Sequence, residues 1–215
     1  MITMQNHIAH FQDRENTPID MIVLHYISAI NVMPQEPFNL ARCIKILEDM
    51  GFSYNFMVGR QGEWVELVPE AFASIGNGRS KWKIKSGFHK KKKWTNNRSV
   101  TVAVIGMDGT KFTPYQYETV IIKTGDIVRR RDIKEDMFIS HEHISPGRKI
   151  DIGRYWDWNR VYDPIYRPGV TAMDKQIAPV VEPEPSRLSS GKESNNFVRS
   201  LSAIMDVLNK LFKKE

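Results

Sequence analysis

One cysteine in 215 residues, Cys43, leaves no partner for an intramolecular disulfide, which fits a chain folded in a reducing cytoplasm. It falls in the apolar register of an expected helix and reads as a small buried hydrophobe rather than a nucleophile. Long apolar runs are missing too: no segment approaches the roughly 18 uninterrupted apolar residues of a membrane span. The stretch Met1 to Arg14 is polar and lacks the apolar core of a secretory signal, so cytoplasmic synthesis without export by the general secretory route is expected. Acidic residues are absent from Arg79 to Arg98, which holds nine Lys or Arg, including the run Lys90 to Lys93. In a chain of formal charge +6, such a patch is either a solvated loop or a surface for a polyanion: nucleic acid, anionic lipid or a bacterial wall rich in carboxylates and phosphates.

What is present is an ordinary globular composition. Residues 19–27 (IDMIVLHYI) read as a buried strand with His25 near its end. Leu40, Cys43, Ile44 and Leu47 recur at helical spacing, and Gly51 supplies a C-terminal stop. Ser53 to Val58 and Trp64 to Val68 read as a hairpin joined by Gly59-Arg60-Gln61-Gly62. Residues 70–98 lack a clear period and are expected to form a long surface loop. Ser99 to Ile105 is a β-branched run suited to a central strand buried on both faces. Thr113-Pro114 is an N-cap followed by Pro at the first helical position, starting a helix to about Arg131. Met137 to His141 reads as a last short strand before a Pro- and Gly-containing loop that ends near Trp158. Strands interspersed with helices predict an α/β domain with a central mixed β-sheet flanked by helices, over residues 1–166.

A linker rich in Pro, Ser and Glu is expected over 167–195. From Asn196 to Glu215, residues Phe197, Leu201, Ile204, Met205, Leu208, Leu211 and Phe212 share one face at a 3.6 period, with lysines elsewhere. This cationic amphipathic helix could dock on the domain, self-associate, or lie on a membrane surface or in a partner groove.

Hydrolytic metal sites of the zinc type use three protein ligands and an open position for water. His25, His141, His143 and Asp151 are the candidate ligands here, with His7, His10 and His89 as outsiders. Taken singly, a strand histidine such as His25 is more often a satisfied core residue. Two histidines at i and i+2, as in His141-Glu142-His143, face the same side if extended, but spacing does not say which of them binds.

The segment Ser140-His141-Glu142-His143-Ile144-Ser145-Pro146-Gly147-Arg148-Lys149-Ile150-Asp151 resembles the C-terminal signature of type 2 N-acetylmuramoyl-L-alanine amidases, roughly G-H-x-D/E-I-A-P-G-R-K-x-D-P-G. Upstream, Ile22-Val23-Leu24-His25-Tyr26 resembles the strand with the first zinc histidine, and Ser53 to Val58 with Gly62 the S-Y-H-Y/F-x-I-x-x-D-G hairpin. Asn97-Arg98-Ser99-Val100-Thr101-Val102 resembles the N-x-S-I-G-I strand, and Phe112-Thr113-Pro114-Tyr115-Gln116 the F-T-P-x-Q helix start. The matches are ordered and cover roughly residues 19–160. The resemblance implies that His25, His141 and Asp151 hold Zn2+, the ten-residue step from His141 to Asp151 being the family's own. It makes Lys149 a stabiliser of the oxyanion and Tyr54 the tyrosine that positions the attacking water.

Two departures stand out. The recycling branch of the family carries a general-base glutamate in its S-I-G-I-E-L strand, where this chain has Ala103. Phage amidase-type lysozymes and animal recognition amidases also lack it and rely on the tyrosine that Tyr54 matches. The family's aromatic-His loop appears here as Ala73 to Gly78 without the histidine, although Ser80 and Trp82 still resemble the S-x-W that follows. The resemblance implies hydrolysis of the amide between N-acetylmuramic acid and L-alanine, in lysis or in muropeptide recycling. The tyrosine-type site and cationic tail favour lysis, by a protein that acts on the wall once released. The rival class is a peptidoglycan-recognition module without catalysis, which typically loses a zinc ligand; all three are present. A nucleic-acid partner is not expected, since the basic stretch offers few stacking positions beyond Trp82, Phe88 and Trp94.

Overall fold

The computed structural model describes residues 3–5, 7–84, 87–88 and 94–169. The run Lys90 to Lys93, the linker past residue 169 and the amphipathic helix expected over 196–215 lie outside the described residues. The chain passes through β1 (Thr3–Gln5), β2 (Phe11–Asp13), β3 (Met21–Ile27), α1 (Leu40–Asp49), β4 (Phe56–Val58), β5 (Trp64–Glu66), β6 (Phe72–Ser74), β7 (Lys83–Ile84), β8 (Gly87–Phe88), α2 (Trp94–Arg98) and β9 (Ser99–Ile105). It continues through α3 (Pro114–Arg131), a 3-10 turn at Glu135–Met137, β10 (Phe138–Ser140), α4 (His141–Ile144) and α5 (Trp158–Tyr166).

The two longest β-branched and aliphatic runs become the adjacent central strands β3 and β9, paired in parallel with His25 opposite Ala103. All of β9 is buried, as a strand covered on both faces must be. Six strands form one mixed sheet in the order β1-β5-β4-β9-β3-β10. Only the β4–β5 hairpin is antiparallel within it.

Strand alternation sends successive side chains to opposite faces and so sorts the core into two layers. Ile22, Leu24, Val100, Val102 and Val104 pack against Tyr117, Val120, Ile127 and Val128 of α3 and Val161 of α5. On the other face Met57, Ala103 and Ile105 meet Cys43, Ile44 and Leu47 of α1. Both longer helices start as the sequence predicts. The Asn39 side chain accepts from the Arg42 amide, and Thr113 and Gln116 form a reciprocal capping box beneath Pro114.

One expectation is corrected. Residues 70–98 are not a surface loop throughout: Phe72–Ser74 pairs with Phe11–Asp13, and Ala73, Ser74, Asn77, Thr95, Asn96, Asn97 and Arg98 are buried. A polar, aperiodic segment can be buried when its backbone groups find partners, and Arg14 supplies many of them. Its buried guanidinium donates to five backbone carbonyls, those of Glu70, Phe72, Asn96, Asn97 and Ser99. Helix α5, which begins where the expected loop ends and fills the stretch to the expected domain end, closes the α3 face; Tyr162 donates to the Phe138 carbonyl.

Arg14→Ala strands those carbonyls without their charged donor. It is expected to lower unfolding free energy by roughly 3 kcal/mol or more, read by urea denaturation. Arg14→Lys should rescue little, because an ammonium cannot reproduce the planar fork of donors. A loss under about 1 kcal/mol for the alanine variant would show that water replaces the clamp.

Candidate metal centre

The carboxyl ends of parallel strands β3 and β10 bring the site together, where open α/β sheets present ligands. His25 is the fifth residue of β3 and points to the α1 face with Met21 and Val23. His141 follows immediately where β10 ends, and Asp151 arrives ten residues later, tied back by a hydrogen bond from the Glu142 amide to the Asp151 carbonyl (2.8 Å). His25, His141 and Asp151 are all buried. Nδ1 of His25 lies 3.0 Å from Nδ1 of His141 and 3.1 Å from Oδ2 of Asp151, and the third edge of the triangle is 3.0 Å.

The far nitrogens are also held. Nε2 of His25 lies 3.0 Å from the side-chain oxygen of Asn77, and Nε2 of His141 lies 2.9 Å from the Asn77 main-chain carbonyl. A carbonyl can only accept, so the Asn77 oxygens favour a proton on each Nε2 and a lone pair on each Nδ1; at His141 the shorter contact to the carbonyl outweighs the Arg148 guanidinium, a donor at 3.4 Å from the same nitrogen. Two lone pairs and a carboxylate then face one another with nothing between them to donate. Such a triangle fits a cation. A tetrahedral zinc ion with bonds of 2.0–2.1 Å sets its ligand atoms about 3.3 Å apart, close to the 3.0–3.1 Å edges here. Among the described residues this is the one group of three or more such side chains able to hold a metal ion.

The electrostatics agree. Burial is the main influence on His25 and pushes its pKa down to about 4, against the pull of Asp151. Burial opposes ionisation of Asp151; positive charge or an N–H on the facing imidazoles of His141 and His25 holds the carboxyl well below the usual carboxylate range, and with both Nδ1 atoms bare that stabilisation has to come from a bound cation. A neutral His25 beside an ionised aspartate leaves the group electron-rich.

His143 is not part of this group. The expectation that His141 and His143 share a side assumed extended backbone, whereas both lie in the helical turn α4, where i and i+2 diverge. His143 Nδ1 accepts from the Ser140 amide at 3.2 Å instead. His7 and His10 lie away from the triangle, against Glu66 and the Glu48 carbonyl, and His89 is outside the described residues.

Tyr54 is half-buried and its ring centroid lies 4.7 Å from that of His25. Burial first, then the Asp151 charge, raises its phenol pKa well above the ordinary value. Gly76 makes room for the ring, since a Cβ there would stand 2.7 Å from it. Lys149 is exposed two residues before Asp151, and its amide closes a turn onto the Ser145 carbonyl at 3.1 Å. Its side chain takes no part in the hydrogen bonds around the triangle. Asn77 and Arg148 were not picked out from sequence as supports of the site. Arg148 donates to the carbonyls of Asn77 (3.2 Å) and Arg79 (2.6 Å), pinning one loop to the other.

Fold and site together define an α/β protein built around a group able to hold a single metal ion. A family model described as N-acetylmuramoyl-L-alanine amidase matches residues 15–154, well over half of the chain, and the chain belongs to that family. Two curated relatives, each named 1,6-anhydro-N-acetylmuramyl-L-alanine amidase AmpD, are 27% identical to it. With the Enterobacter cloacae protein the match runs over 128 residues, 60% of this chain and 63% of that one, a little under two thirds of its length. With the Haemophilus influenzae protein it runs over 168 residues, 70% of this chain and 85% of that one. The solved structure of the E. coli amidase AmiD with the substrate anhydro-N-acetylmuramic acid-L-Ala-D-gamma-Glu-L-Lys has the same fold. Its TM-score is 0.56 at 23% identity, over 71% of this chain and 60% of that one.

A pH dependence follows for the metal-free protein. Between pH 6.5 and about 4 the unfolded chain takes up a proton at His25 that the folded chain refuses, so stability falls as pH drops through that window. The loss should approach about 3 kcal/mol at its lower end. Urea unfolding in the presence of chelator, at intervals from pH 7 to 4, measures it. A flat profile would mean that folded His25 protonates freely.

Proposed function

We propose that this chain is a zinc-dependent amidase that hydrolyses the bond between the lactyl carbonyl of N-acetylmuramic acid and the nitrogen of L-alanine in peptidoglycan or its fragments. The observation that carries the reading is the buried triangle of His25, His141 and Asp151, on a chain of this family. The names of the AmpD relatives and the muropeptide held by AmiD support the substrate class.

His25 and His141 would hold the ion through Nδ1 and Asp151 through Oδ2. When bound, zinc supplies a Lewis acid that brings a water towards neutrality in pKa and polarises the scissile carbonyl. Tyr54, beside His25, orients that water with its phenol, which burial and the Asp151 charge keep protonated and therefore able to donate. Lys149 reaches from the exposed loop to the carbonyl oxygen as negative charge develops on it. Water oxygen bonds to the carbonyl carbon, the C–N bond breaks, and a proton given up by the water passes to the alanine nitrogen, which leaves as an amine while the lactyl group becomes a carboxylic acid. Ala103 carries no proton, so this division of labour places the proton chemistry outside β9.

The test is release of free stem peptide from purified peptidoglycan and from a soluble anhydro-muropeptide, with and without a zinc chelator. Chelator-sensitive cleavage at the muramic acid–alanine bond, abolished by His141→Ala, is expected. The substrate cut faster assigns the protein to wall lysis or to fragment recycling. Zinc-loaded protein that binds wall and releases no peptide overturns the enzyme reading in favour of a recognition module.

The two auxiliary roles are separable. Lys149→Met should cut kcat by about a hundred- to a thousand-fold with little change in KM, as expected for loss of a transition-state donor. Tyr54→Phe should cost at least about a hundred-fold. Unchanged kcat in either variant returns that residue to an ordinary structural or solvated role.

A further inference from the structure

Asn77 is fully buried, and its two carbonyl groups face the two histidines of the triangle: the side-chain oxygen is 3.0 Å from His25 Nε2 and the main-chain oxygen 2.9 Å from His141 Nε2. We propose that Asn77 is the positioning residue of the metal centre, one amino acid that fixes the tautomer and ring orientation of both histidine ligands. The inference rests on the metal-amidase reading above and deepens it.

Several observations make Asn77 more than a loop residue that happens to be near. Its own amide groups are committed elsewhere. The side-chain nitrogen donates to Ser99 Oγ at 3.0 Å, which turns the side-chain oxygen towards His25. The backbone N–H donates to the Asn96 side-chain oxygen at 3.1 Å, which turns the peptide so that its carbonyl meets His141. Those two partners are themselves anchored, because the Arg14 guanidinium donates to the Asn96 and Ser99 carbonyls. Arg148 supplies a second donor to the Asn77 carbonyl at 3.2 Å. Next to it Gly78, at φ +60, makes the left-handed turn that an ordinary side chain would resist.

The physical consequence concerns which nitrogen is free. An imidazole with Nε2–H bound to a carbonyl has its lone pair on Nδ1 and is more basic there, which is how a hydrogen-bonded partner tunes a histidine ligand. With the Asn77 side chain removed, His25 can rotate or exchange tautomer and present N–H to the triangle. His141 keeps its main-chain partner whatever residue stands at 77. The two histidines should therefore respond unequally to substitution, which a general loosening of the fold would not produce.

The experiment measures zinc affinity by competition with a chromogenic chelator, using the full-length wild type, Asn77→Ala and Asn77→Asp, with urea unfolding of each metal-free protein alongside. Asn77→Ala is expected to bind zinc about ten- to a hundred-fold more weakly. Its metal-free unfolding midpoint should move far less than that loss implies. Asn77→Asp keeps an acceptor facing His25 and is expected to recover most of the affinity. In the metal-free wild type, nitrogen chemical shifts should show the Nε2–H tautomer at His25, a readout that stands even if the alanine variant fails to fold. Wild-type affinity in Asn77→Ala, or an Nδ1–H tautomer at His25, overturns the inference while leaving the amidase reading intact. A wild-type chain that takes up no zinc overturns both.

Discussion

Two imidazole lone pairs and a carboxylate held 3.0–3.1 Å apart repel one another in a buried setting unless a positive charge sits among them. Folding must force the three groups together against that repulsion. Here the force comes from parallel strands whose ends cannot drift apart. β3 is paired on both sides, to β9 and to β10, so the backbone beneath His25 and the strand end that launches His141 are fixed by the same ladder. Only Asp151 arrives on a loop, and the Glu142 amide fastens that loop at the Asp151 carbonyl. The metal-binding capacity is therefore a property of the sheet, and the packing of α1, α3 and α5 matters to it by keeping that sheet in register.

Around this centre lies a second layer with a different chemistry. It is polar, aperiodic and buried, and Arg14 organises it. A buried guanidinium among backbone carbonyls satisfies groups that would otherwise each cost free energy, so Ala73, Ser74, Asn77 and the residues 96–98 can leave solvent without forming long strands. Asn55 contributes in the same way, donating to the Val68 and Phe72 carbonyls while its side-chain oxygen accepts from the Thr101 amide. The result is a loop as well fixed as a strand, which is what two histidines need on their far sides.

This explains what the sequence made legible and what it did not. The central strands, α1, the β4–β5 hairpin and α3 announce themselves because apolar periodicity, caps and turns are local signals, and the structure carries each within a few residues of its expected bounds. The family signature pointed to His25, His141 and Asp151, which the fold brings together. The buried loop is not legible from local pattern because its stabilisation is not local: Arg14 lies far along the chain from the carbonyls it serves. The pairing of β2 with β6 leaves no local pattern either, each strand being three residues long. Asn77 carried only a weak clue, an Asn-Gly step in a segment without periodicity. His143 was ambiguous until the backbone conformation was known, since extended and helical chains place i and i+2 on different sides.

Ala103 bears on how the chemistry is divided. It lies opposite His25 on one side and Met57 on the other, buried among Met57, Val65 and Ile105. A carboxylate there would have to be desolvated beside apolar neighbours, and would keep its proton unless a cation compensated it. With alanine the strand face next to the metal group is inert and tightly packed, so it can hold ligands but move no proton. On the proposed reading the reactive groups must therefore come from positions off the buried strands: Tyr54, pressed against Gly76 at the edge of His25, and Lys149 on the exposed turn. The metal-binding groups and the wedged Tyr54 ring then sit on the part of the fold least able to move, and Lys149, which meets the changing charge of the substrate, sits on an exposed turn where its side chain can still adjust. A protein arranged in this way should tolerate variation in its substrate-facing loops more readily than in β3, β9 or the segment around Asn77.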